Sequence, residues 1–122
     1  MSPSQLLSYR DPASHYLTGD EDTITEATQV QAILDVLEDE TSREILRLLD
    51  GESLSASELA TKGDIPLSTT YRKLNALTET RLVDERIRIL RSGRHTSEYS
   101  RAFDDVTISL GPDAGAAIEL VR

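Results

Sequence analysis

Ser55-Ala-Ser-Glu-Leu-Ala-Thr-Lys-Gly-Asp-Ile-Pro-Leu-Ser-Thr-Thr-Tyr-Arg-Lys-Leu-Asn-Ala-Leu-Thr-Glu-Thr-Arg-Leu-Val83 holds two helix starts with a tight turn between them. Ser55 and Glu58 have capping-box spacing, in which each side chain answers the other's backbone N–H, and Leu59 and Ala60 follow inside a short helix. Lys62-Gly63-Asp64 supplies the turn, with Gly63 free to take positive φ. Pro66 sets the next helix start, and Leu67, Thr70, Leu74 and Leu77 give that helix its inner face. A short capped helix, a glycine turn and a longer amphipathic helix are the parts of a helix-turn-helix.

On the N-terminal side, Val30, Ile33, Leu34 and Leu37 fall on one helical stripe. Asp39-Glu40-Thr41 interrupts it, and Thr41 with Glu44 has the spacing to cap a further helix through Ile45, Leu48 and Leu49. Gly51 suits the left-handed position that ends that helix. On the C-terminal side the period changes to two. Val83 to Leu90 and Thr96 to Leu110 read as strands joined by a turn at Ser92-Gly93. Gly111-Pro112-Asp113 can return the chain so that Ala117 to Val121 pairs as one more strand. The expectation is an α+β winged helix-turn-helix: three to four helices plus a β-hairpin wing, with an extra C-terminal strand. Residues 29–110 form the domain, and 111–122 form a C-terminal strand or tail. Residues 1–28 contain Pro3, Pro12, Gly19 and the acidic run Asp20-Glu21-Asp22, and read as a mobile arm with a short helix near Gln5–Tyr9.

The net charge of −9 argues against a nucleic-acid partner until it is divided. Pro66 to Arg101 carries eight of the thirteen Arg and Lys but only four acids, leaving +4 there and −13 elsewhere. A basic face on an acidic body is the more informative pattern. Only Lys62 and Lys73 are lysines, against eleven arginines. Such an acidic, lysine-poor composition is similar to that of proteins from salt-accumulating halophilic archaea.

In a helix-turn-helix the second helix enters the major groove of duplex DNA. Its outward positions here include Ser68, Thr69 and Arg72, with Lys73 and Asn75 on the flanks. Ser68 and Thr69 are short donors at the helix N-terminus, suited to phosphate or a base edge. Arg72 has the reach for bidentate reading of guanine, and Tyr71 and Lys73 fit phosphate. Arg86, Arg88, Arg91, Arg94 and His95 cluster on the hairpin, where a wing tracks the backbone or minor groove. Arg86 and Arg88 share parity and hence one face. Arg43 and Arg47 read instead as helix-surface partners of Glu40 and Glu44.

Gln31 to Leu49 resembles the opening helices of the arsenical-repressor (ArsR-like) winged-helix superfamily. Ile65 to Val83 resembles its recognition helix and the entry to its wing. Pro66-Leu-Ser-Thr-Thr-Tyr-Arg-Lys-Leu74, with Gly93-Arg-His-Thr-Ser-Glu-Tyr99, is similar to small haloarchaeal helix-turn-helix regulators. The resemblance covers about Gln31 to Leu110. It implies a cytoplasmic homodimer that binds pseudo-palindromic promoter DNA. Two positions depart from the pattern: Pro66 replaces a frequent serine cap, and Arg81 stands where glycine usually closes the recognition helix.

The function classes set aside are as informative. Without cysteine, disulfides and thiolate metal sites are excluded, and His15 and His95 alone do not make a familiar metal sensor. No cofactor, metal or small-molecule ligand is expected, because the short C-terminal region leaves little room for a pocket. No run has the roughly 20 apolar residues of a membrane span, and no secretory signal is read. No nucleophile–base–orienter set or Gly-rich phosphate loop appears, so the chain is not read as an enzyme. The rival class is a winged-helix module for protein contacts, such as a transcription-machinery adaptor or an antitoxin-like partner. It would not need Arg72 and the wing arginines together.

Overall fold

The computed structural model describes residues 21–113 and 115–122. Chain order is β1 (Glu21–Ile24), α1 (Ala27–Leu37), α2 (Glu40–Leu48), β2 (Leu54–Ser55), α3 (Ala56–Gly63), α4 (Leu67–Glu79), β3 (Val83–Ile89), β4 (His95–Arg101), β5 (Asp105–Leu110) and β6 (Ala116–Val121). The helices bury their apolar stripes against one another: Val30, Ile33 and Val36 from α1, Ile45 and Leu46 from α2, Leu59 from α3, Leu74 and Leu77 from α4. Leu82, Val83 and Tyr99 carry this core into the hairpin, and Ile118 and Leu120 carry it under β6.

The helix ends show how local chemistry sets the frame. The Ser55–Glu58 capping box forms in both directions, at 3.1 and 2.8 Å. The expected Thr41–Glu44 box does not. Asp39 caps α2 instead, its carboxylate accepting from the Ser42 N–H at 2.8 Å and the Ser42 hydroxyl at 2.9 Å. Glu44 is thereby left to pair with Arg47. Gly51 is left-handed as expected, but the turn after α3 is not made by Gly63: Asp64 takes the left-handed conformation at φ +52°. What Gly63 provides is space. A Cβ there would lie 2.8 Å from Ile65 Cδ1 and 3.2 Å from Leu48 Cδ1.

Two three-stranded antiparallel sheets form, in the orders β2–β4–β3 and β1–β6–β5. Thr96 to Leu110, which reads as one strand, is cut at Ala102–Asp104 and serves both sheets. Phe103 turns into the core at the cut. Arg101 pins the corner by donating to the carbonyls of Phe103, Leu46 and Asp104 at 3.3, 3.3 and 2.6 Å, with its guanidinium 4.8 Å from the Phe103 ring centre. Residues 21–28 are likewise no arm. Glu21 to Ile24 pair with β6 from Val121 to Ile118, and α1 starts at Ala27, its first N–H groups capped by the Glu26 carboxylate. The C-terminal segment is a strand between β1 and β5, so a tail is excluded. Residues 1–20, including the helix expected at 5–9, lie outside the described residues.

The Asp39 carboxyl is held below its ordinary value, chiefly by the Ser42 backbone N–H, with Lys73 adding to it. A depressed carboxyl contributes stability that is present above its unfolded value and is lost as pH falls through the folded one. Asp39→Ala is therefore expected to cost about 1–2 kcal/mol at neutral pH. In urea titrations the gap between wild type and variant should narrow as pH falls through the lowered Asp39 value.

Candidate nucleic-acid interface

Pro66 begins α4 without a side-chain cap, and the buried Thr70 hydroxyl donates to the Pro66 carbonyl at 3.0 Å. Thr70, Leu74 and Leu77 face inward. Leu67, expected on that face, is exposed. Lys73 lies against α2, its Nζ 3.0 Å from Asp39 Oδ1. With the inner and α2-side faces so occupied, Ser68, Tyr71, Arg72 and Asn75 are exposed and Thr69 is half-buried. Arg72 has no hydrogen-bond or ion-pair partner among the described residues.

The far end of α4 closes on Arg81 at φ +64°. Its N–H donates to Thr78 O at 3.1 Å, and the Leu82 N–H donates to Leu77 O at 3.0 Å. This pair of bonds is the Schellman ending, in which glycine is the usual left-handed residue. Leu82 is thereby buried against the core, and β3 leaves in a fixed direction.

In the wing, Gly93 at φ +85° makes the turn, and Leu90 and Arg94 close it with a 2.7 Å bond. Arg91, Arg94 and His95 are exposed at this tip. The hairpin register puts Arg86 opposite Glu98 and Arg88 opposite Thr96. Arg86 and Arg88 therefore share a face, as expected, and it is the face that also carries Ser55. There Arg88 lies 3.4 Å from both Glu58 and Glu98, while Arg86 remains exposed. The opposite face carries Glu85, Tyr99, Ile87 and Ile89. Ile87 and Ile89 are 63% and 70% exposed. Burial raises the Tyr99 hydroxyl pKa, and the charges of Glu85 and Tyr71 add to it. Sequence reasoning missed these apolar wing residues, although their alternation with Arg86 and Arg88 was the available signal.

A cleft of about 650 Å³ lies between α1, β1, β6 and the end of α4, lined by Ile24, Ile33, Leu120, Glu79, Arg81 and Arg122. Strand β1, unseen in the sequence, supplies one of its walls. No group of three or more His, Cys, Asp or Glu is placed to hold a metal among the described residues, and no helix there is long and apolar enough to cross a membrane.

Residues 37–86 match the family described as a helix-turn-helix domain. NolR from Sinorhizobium fredii has a similar solved structure, with a TM-score of 0.55 and 24% identity over 80% of this chain and 83% of that one. The fold is a winged helix-turn-helix. No curated protein matches the chain. Within the winged helix-turn-helix, α3 and α4 are the two helices of the motif and β3–β4 is the wing, so the expected fold class is the one observed. The likeness concerns the fold.

Replacing Arg81 by glycine removes a left-handed non-glycine residue but loosens the unfolded chain. The net expectation for Arg81→Gly is a gain of about 0.5–1 kcal/mol. Differential scanning calorimetry would show it as a higher Tm, whereas a lower Tm would mean that the Arg81 side chain contributes more than its backbone costs.

Proposed function

We propose that this chain is a sequence-specific regulator of transcription that binds duplex DNA, acting in the cytoplasm as a dimer on a pseudo-palindromic promoter site. The observation that carries this reading is the outward face of α4, where an unpartnered Arg72 stands among Ser68, Thr69, Tyr71 and Asn75. The fold has used every other face of that helix. In a winged helix-turn-helix this face meets the major groove. Arg72 then reads guanine, and Ser68 and Thr69 meet phosphate or a base edge. Tyr71 and the exposed Leu67 offer apolar surface of the kind that meets thymine methyl groups.

The wing contributes mainly through its tip. Arg91, Arg94 and His95 are exposed and can follow the backbone, with Arg86 on the side of the hairpin. Lys73 and Arg88 take a smaller part, since each must leave an acid before it meets a phosphate. The reading thus rests on fewer phosphate contacts than the count of basic residues suggests. A shallow dependence of affinity on salt follows, because each phosphate contact adds to the counterion-release slope. The acidic remainder of the chain repels DNA away from this face and suppresses wrong docking.

Fluorescence anisotropy on the chain's own upstream DNA and on a shuffled duplex, from low to molar KCl, tests the proposal. Tighter binding to the native fragment that survives high salt is expected. Arg72→Ala should weaken it by roughly ten- to a hundred-fold while leaving the unfolding transition unchanged. Undiminished binding by a folded Arg72→Ala variant, or none by the wild type, would favour the protein-contact module.

A further inference from the structure

The β1–β6–β5 sheet has two outer edges, β1 on one side and β5 on the other. β5 runs Asp105-Val-Thr-Ile-Ser-Leu110, with no charge after Asp105 and no proline. Ile108 and Leu110 share their sheet face with Ile118 and Leu120, which are buried, yet they are themselves 50% and 72% exposed. The core gives out beneath them. At the hairpin end the Gly111 N–H donates to Gly115 O at 2.8 Å. By the alternation of an antiparallel ladder, Thr107 and Ser109 then turn their backbone groups to β6, and Val106, Ile108 and Leu110 turn theirs outward.

We propose that the edge of β5, which no other described strand covers, pairs with the same strand of a second copy of this chain, antiparallel, about a twofold axis at Ile108. The strand is complementary to itself in that register. Ile108 meets its own counterpart and Val106 meets the partner's Leu110 on one face, while Thr107 meets the partner's Ser109 on the other. Apolar side chains oppose apolar ones and hydroxyls oppose hydroxyls. Charge selects the same occupant. Two copies at −9 each repel over most of their surfaces, and the uncharged run from Val106 to Leu110 lets backbones approach without opposing like charges. Asp105 falls opposite the partner's Gly111. Helix α1 spends Val30, Ile33 and Val36 on its own core, packs Leu34 and Leu37 partly against it, and leaves Gln31, Asp35 and Glu38 exposed.

This inference rests on the dimeric half of the proposed function, and its test uses no DNA, so the two fail separately. Light scattering on purified protein should give a dimer for the wild type and a monomer for Ile108→Lys, with the variant's circular dichroism and unfolding transition retained. The chain has no cysteine, so single-cysteine variants give a second readout that does not need a disrupted dimer. Ile108→Cys should oxidise to a covalent dimer, because residues directly opposed in a ladder lie about 5.5 Å apart at Cα, within disulfide reach. Ile87→Cys, at a position more exposed than Ile108, should stay unlinked. A monomeric wild type, a dimer that survives Ile108→Lys, or crosslinking at Ile87 as fast as at Ile108 would overturn the proposal.

Discussion

One carboxylate joins the start of α2 to the helix on which the functional reading depends. Asp39 Oδ2 caps α2 through Ser42, and Asp39 Oδ1 takes the ammonium of Lys73 from α4. A single residue thus ends the break between α1 and α2 and fixes the side on which α4 lies against α2. Together with Thr70, Leu74 and Leu77, which point into the core, this leaves Arg72, Ser68 and Asn75 outward. The pair is partly buried, so water screens it less than a fully exposed pair, and a cap adds a hydrogen bond that long surface side chains lack. Losing Asp39 would fray α2 and release Lys73, while Thr70, Leu74 and Leu77 keep α4 seated in the core.

The other end of α4 is fixed by backbone geometry. The left-handed Arg81 lets Leu82 drop into the core and aims β3 away, so the wing takes its direction from the helix it accompanies. From there the hairpin divides its chemistry by parity. Arg86 and Arg88 stand on the face that carries Ser55 and Ile87 and Ile89 on the other, and Arg91, Arg94 and His95 gather at the tip. The result is a surface with a few free arginines set among hydroxyl and apolar groups, on an otherwise acidic molecule. Such a surface can discriminate sequence while drawing little on long-range attraction.

What the sequence revealed and what it hid follow from the range of the interactions. The Ser55–Glu58 box, the Pro66 start, the Gly51 and Gly93 turns and the hairpin are all set within a few residues, and each was legible. The Asp39 cap was missed because Thr41 and Asp39 offer competing local solutions two residues apart, and Lys73, far along the chain, favours one. Strand β1 was hidden because its partner is β6 at the other end of the chain, and an acidic run looks like a solvated arm. The cut in Thr96 to Leu110 depends on Phe103 finding the core and on the Leu46 carbonyl receiving Arg101. At the candidate site, the identities of the outward residues were readable from helical spacing. The engagement of Lys73 and Arg88 by distant acids was not.

The central claim is that the outer face of α4 and the tip of the wing meet DNA together. Titrating a duplex carrying the chain's upstream sequence into ¹⁵N-labelled protein, and following the backbone amides by NMR, tests it most directly. The account predicts shifts concentrated at Ser68 to Arg72 and at Arg91 to His95, with β5 and β6 unmoved. Shifts centred on β5 or α1 with α4 silent, or an unchanged spectrum, would contradict it.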